Sequence, residues 1–275
     1  MLTALILPLL LQVGPNPSLT PPPAVPDELV EQRRIRRERL AAPLAIVGDD
    51  PVQTCAARAE ADPAGAADNA RTLVARSSGI NRALASHCLA LALSAQELWP
   101  DVAQAFAQAR GALPAGNANY AARLALAEGS AHLAAGDAAA ALAALGSAPA
   151  VDDPQLASAI AVDRARALVA LGDDSRAATA LDEARGIDPD NDEAWLLSAT
   201  LSRRMGQLDR AQQQIERAAI LRPSGPEIGL EAGVIAVLAG RDDMALRSWR
   251  SVIDSAPGTP AALTAADYIA QLGAQ

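Results

Sequence analysis

The sequence predicts an all-α chain assembled as an array of antiparallel helix pairs, and three observations predict it. The first is a repeat: Pro189, Pro223 and Pro257 stand 34 residues apart, as do Gly172, Gly206 and Gly240, and Ala177, Ala211 and Ala245. The second is composition. Aromatic residues make up only 2% of the chain while Ala is abundant, and Ala combines the best helix propensity with a poor fit to strands. The third is that no run of alternating β-branched residues argues for a sheet.

With 275 residues and 51% apolar content the chain can bury a substantial core, built here from small and medium side chains packed closely. The formal charge is −9, and all 23 basic residues are Arg. A net negative chain is poorly suited to neutralising phosphates, which excludes a general nucleic-acid or anionic-membrane binder.

Leu2 to Val13 reads LTALILPLLLQV, with no charged side chain. At about 1.5 Å per residue it spans roughly 18 Å, short of a hydrocarbon core of about 30 Å. Residues 1–14 therefore read as a signal-peptide-like segment, and the chain as exported, periplasmic in a bacterium. No basic residue precedes the run and no small-x-small site follows it, so an uncleaved inner-membrane anchor and a cytoplasmic chain are the alternatives.

Residues 15–48 form a linker and an arm. The stretch PNPSLTPPPAVP is too rich in Pro for helix or ladder and makes an extended spacer. Asp27 to Leu44 then turns helical in pattern, with Leu29, Val30, Ile35 and Leu40 set among five Arg and four acids. Residues 50–119 read as degenerate helical repeats, in which Val102, Phe106, Ala109 and Pro114 follow in repeat order and Glu97 stands where a Gly belongs. Residues 120–275 hold the regular array. Its first unit has Gly136, 36 residues before Gly172 because of a lengthened loop around APAVDDP, and Pro260 to Leu272 is a lone helix covering the last apolar face.

Each column of the repeat has a physical task. The Gly ends the first helix of a pair, where a left-handed residue turns the chain back without a Cβ penalty. Ala177, Leu181 and Ala184 then share one face of the second helix, as do Ala211, Ile215 and Ala218, and Ala245, Trp249 and Val252. Small residues let two helices approach, and the large one fills the gap between units. The Pro stops the second helix.

In this frame the sequence resembles the tetratricopeptide-repeat family, whose 34-residue unit carries Trp, Gly, Tyr, Ala, Phe and Pro at set places. The likeness is best in Asp192 to Gly225, where Trp195, Ala211, Ala218 and Pro223 match; 158–191 and 226–259 fit the same frame. The family's Gly within the first helix is found only as Gly233, with Ala165 and Ala199 elsewhere, and its Tyr is replaced by Leu168, Ser202 and Ala236. The resemblance implies a solenoid of antiparallel helix pairs forming a right-handed superhelix. It also implies a non-enzymatic scaffold that binds a protein or peptide on the concave face lined by first helices.

In the family's frame the groove is expected at Val162, Arg166, Leu196, Thr200, Arg203, Leu230, Val234 and Val237, with Arg166 and Arg203 pairing acidic groups of an apolar or amphipathic segment at its rim. The Lys and Asn set that family members use to hold a peptide carboxylate is absent. The other reading is structural, a homo-oligomer in which the arm of residues 27–44 lies in a groove of its own or a neighbouring chain.

Cys55 and Cys88 are the two cysteines. In an exported chain they pair as a disulfide; in a reducing compartment they pack as small apolar groups. His87 beside Cys88 invites a metal or nucleophile reading, but adjacent helical residues diverge by about 100°, and His132 is the remaining histidine. No metal, cofactor, small-molecule substrate or catalytic set is expected.

Overall fold

The computed structural model describes residues 51–273. The apolar segment of residues 1–14 and the linker and arm of residues 15–48 lie outside them. Among the described residues there are thirteen helices and no strand. Six successive pairs are formed by α1 (Pro51–Ala61) and α2 (Pro63–Arg76), α3 (Gly79–Ser94) and α4 (Trp99–Gly111), α5 (Ala118–Ala134) and α6 (Ala138–Gly146), α7 (Pro154–Ala170) and α8 (Asp174–Ile187), α9 (Asp192–Arg204) and α10 (Leu208–Leu221), and α11 (Pro226–Leu238) and α12 (Asp242–Ser255). The array closes with α13 (Pro260–Gly273). Each helix packs on the one before it and the one after it.

The turns explain why the pairs are alike. At five of them one residue takes a left-handed conformation: Gly136 and Gly172 at φ +79°, Gly206 at +74°, Gly240 at +69°, and Glu97 at +58°. Around each, the same two backbone bonds close the helix. Gly172 N donates to Val169 O at 3.0 Å and Asp173 N to Leu168 O at 2.9 Å, and the pattern recurs at Glu97, Gly136, Gly206 and Gly240. Glu97 thus does a glycine's task with a side chain in the way. Several second helices start on a side-chain cap as well, Asp137 accepting from Ala140 N and Asp173 from Arg176 N, each at 3.0 Å.

Buried side chains fall into successive groups along the array and not into one centre, as a solenoid requires. Ala141, Ala177, Ala211 and Ala245 are fully buried, and four residues on from each lies the large filler Leu145, Leu181, Ile215 or Trp249. The filler meets the first helix at one fixed place, occupied by Gly129, Ala165, Ala199 and Gly233 in turn. Gly129 is a correction to the frame read from sequence, which had placed this glycine at Gly233 alone; the two-residue lengthening of the following loop hid it. A Cβ added at Gly129 would overlap Leu145, and one added at Gly233 would overlap the Trp249 indole, whose Nε1 donates to Leu230 O at 3.1 Å.

Polar ties also recur with the repeat. The Cys55–Cys88 disulfide joins α1 to α3, His87 Nδ1 and Tyr120 Oη lie 2.8 Å apart between α3 and α5, and Ser130 Oγ donates to Asp163 between α5 and α7. Asn191 Nδ2 donates to Ser158 Oγ at 2.8 Å. All four links span 33 residues. Each fastens the first helix of a unit to the next unit.

Two substitutions test this account. Glu97→Gly removes a Cβ penalty of about 1–2 kcal/mol, offset in part by glycine's chain entropy, and is expected to raise stability by about 0.5–1 kcal/mol in urea unfolding. Gly233→Ala is expected to lower it by about 1–3 kcal/mol through overpacking. Adding Trp249→Leu to Gly233→Ala relieves the overlap, so a double variant no better than Gly233→Ala alone counts against the packing assignment.

Candidate partner-binding face

The first helices α7, α9 and α11 carry the residues expected to line the groove, and the structure divides them into three kinds. Val162 is 1% exposed and packs among Ala161, Ala165 and Leu181, so it is core. Leu196, Thr200, Leu230 and Val234 are half-buried, Leu196 against the group around Ile215 and Ile228. Leu230, Val234 and Val237 belong to the same apolar group as Tyr268, Ile269 and Leu272 of α13, so the chain's own last helix occupies that end of the face.

Arg166 and Arg203 are the third kind, and here the expectation is corrected. Neither presents a free charge to a partner. Arg166 is held by Asp163 on its own helix and by Glu193 at the start of α9. Burial works against its charge, but the Glu193 and Asp163 carboxylates more than offset it, and the guanidinium holds its proton more firmly than an ordinary arginine. Arg203 Nε lies 2.6 Å from Glu231 Oε1 on α11, with the two side chains 10% and 13% exposed. Arg110 makes a similar tie to Glu128, 2.9 Å away, between α4 and α5. Glu193 and Glu231 were missed in the sequence because they lie 27 and 28 residues beyond their arginines, short of a full repeat.

Among the described residues no group of three or more His, Cys, Asp or Glu is arranged to hold a metal ion. The Cys88 sulfur is bonded to Cys55, and His87 faces Tyr120 and stands edge-on to Phe106, with ring centroids 5.6 Å apart. No helix among these residues is long and apolar enough to cross a membrane.

Comparison with known proteins identifies the repeat. The model of the tetratricopeptide repeat matches residues 168–232. Over those residues the chain carries tetratricopeptide repeats. Its fold is similar to that of PilW, described as a widely conserved type IV pilus biogenesis factor, with a TM-score of 0.62 at 15% identity over 78% of this chain and 96% of PilW. It is similar also to TTC0263, a thermophilic tetratricopeptide-repeat protein of Thermus thermophilus, with a TM-score of 0.54 at 19% identity over 66% of this chain and 95% of the other. MamA gives 0.51 at 16% identity over 61% and 94%. At such identities the likeness is one of fold. No protein of curated function matches the sequence.

The array depends on these part-buried ion pairs in a testable way. Arg203→Met leaves the part-buried Glu231 carboxylate without a counter-charge and is expected to cost about 1–3 kcal/mol in thermal or urea unfolding. Arg203→Met combined with Glu231→Leu is expected to recover most of that loss, and a double variant as unstable as the single one refutes the pairing as the cause.

Proposed function

We propose that this tetratricopeptide-repeat protein is a non-enzymatic scaffold that holds an apolar segment of another polypeptide against its first helices. The observation that carries the reading is the half-buried stripe of Leu196 and Thr200, bordered on both sides by ion pairs already satisfied within the chain. Such a surface offers an apolar strip whose neighbouring charges are spoken for, and it favours side chains that need no counter-charge. Leu230 and Val234 extend the strip only as far as α13 leaves them open.

The reading includes export. The apolar run from Leu2 to Val13 suits a signal peptide, and a disulfide between Cys55 and Cys88 persists in an oxidising compartment.

The test is crosslinking in cells followed by affinity capture, on the full chain and on the pair Leu196→Asp with Thr200→Asp. Both positions are clear of the α13 group, but Leu196 also packs against the group around Ile215 and Ile228, so some loss of melting temperature is expected and capture is compared at a temperature where helix content of the two chains is equal. A discrete protein captured by the wild type is expected to fall at least tenfold in the variant. Equal capture by both chains rejects the strip as the binding site.

A further inference from the structure

A second set of exposed apolar side chains lies off that strip. Leu98, Leu171, Met205, Leu238 and Met244 are 41%, 49%, 40%, 48% and 39% exposed, and they make up five of the ten large apolar residues exposed among those described. Leu98, Leu171 and Met205 sit in turns between the first and second helix of a pair, Leu238 ends a first helix, and Met244 lies in the first turn of a second helix. Leu171 and Met205 each directly precede a left-handed glycine, 34 residues apart, and so occupy the same place in successive units. Met205 also borders a shallow cleft between α8, α9 and α10, with Leu181, Leu201 and Ser202 in its wall.

Within the turns and the first helical turn after them the charge is one-sided, and the nearest unpaired arginine, Arg247, lies a turn further along α12. The arginines of the edge already have partners: Arg176 lies 3.4 Å from Asp173, Arg204 3.7 Å from Asp174, Arg210 3.0 Å from Asp182, and Arg241 Nη2 donates to Gln212 Oε1 at 2.8 Å. Asp209, Asp242 and Asp243, in the first turns of α10 and α12, are exposed and make no side-chain hydrogen bond or ion pair. The unmet charge is therefore negative, beside an apolar row.

We propose that this turn edge is a second docking surface, and that its partner is a basic amphipathic helix of another protein. The first helices of the last three pairs touch in succession and packed helices lie about 8–10 Å apart, so Leu171, Met205 and Leu238, one in each of those pairs, follow at roughly that interval. A helix repeats an apolar side chain at i and i+7 about 10 Å apart, which matches one contact per unit. Arg or Lys flanking those positions meets Asp209, Asp242 and Asp243, whereas an acidic helix of the same apolar pattern is repelled. The surface lies apart from the Leu196 and Thr200 strip, and neither depends on the other.

The test uses the full chain and three synthetic helical peptides read by fluorescence anisotropy. One carries Leu at i, i+7 and i+14 among Arg, the second has Glu for Arg, and the third has Ser for Leu. The Leu and Arg peptide is expected to bind saturably, and the other two at least tenfold more weakly. Its affinity is expected to fall at least tenfold for Leu171→Ser with Met205→Ser and Leu238→Ser, and likewise for Asp209→Asn with Asp242→Asn and Asp243→Asn. These side chains are exposed, so both triple variants keep the fold. Leu196→Asp with Thr200→Asp is expected to leave the affinity unchanged. Equal binding of the Ser and Arg peptide, indifference to both triple variants, or loss in the Leu196 and Thr200 variant instead each overturns the proposal.

Discussion

How closely two helices approach when one of them offers only a methyl group sets the dimensions of this whole array. Ala141, Ala177, Ala211 and Ala245 are each fully buried at the crossing within a pair, and Gly129, Ala165, Ala199 and Gly233 take the filler side chain on the other helix. With the backbones this near, a single large residue fills the space between them. A chain with one Phe and three Trp has no other way to fill a core. The size of the filler and the size of its seat vary together: Trp249 sits on Gly233, while Leu181 and Ile215 stand opposite Ala165 and Ala199.

Close approach fixes the pair, and polar links fix how pairs stack. Apolar contact is non-directional and by itself sets register only weakly. The ties from Ser130 to Asp163, Ser158 to Asn191, Arg166 to Glu193 and Arg203 to Glu231 do not tolerate a slip of one unit along another, because each leaves a buried polar group without its partner. Buried ion pairs contribute little net stability over apolar replacements, so their physical role here is register.

Much of the fold was legible because packing repeats in sequence. Five columns at a step of 34 located the turns, the crossings and the helix stops, and Glu97 stood out as the residue in a glycine's place before its φ was known. Gly129 escaped because the loop around APAVDDP shifts the step to 36 and breaks the column. The roles of Arg166 and Arg203 were misread for a different reason. Spacing shows which face a side chain shares, but a contact between units depends on the angle at which they stack, and that angle shows only as acids 27 and 28 residues further on. The closing helix itself was legible at Pro260 to Leu272, but that it packs with Leu230 and Val234 left no periodic trace, since a closing helix occurs once.

The first pair differs from the rest in its wiring. Asp62 alone separates α1 from α2, and the disulfide carries α1 directly to α3. A pull applied at the amino-terminal side of Cys55 therefore passes through sulfur into α3 and bypasses everything from residue 56 to 87. At about 3.3–3.6 Å per extended residue, roughly 110 Å of contour is withheld from stretching while the bridge is intact. The covalent link makes this end of the array a tether of fixed length, and load reaches α3, a helix with nine buried residues, before it can peel the outer pair away.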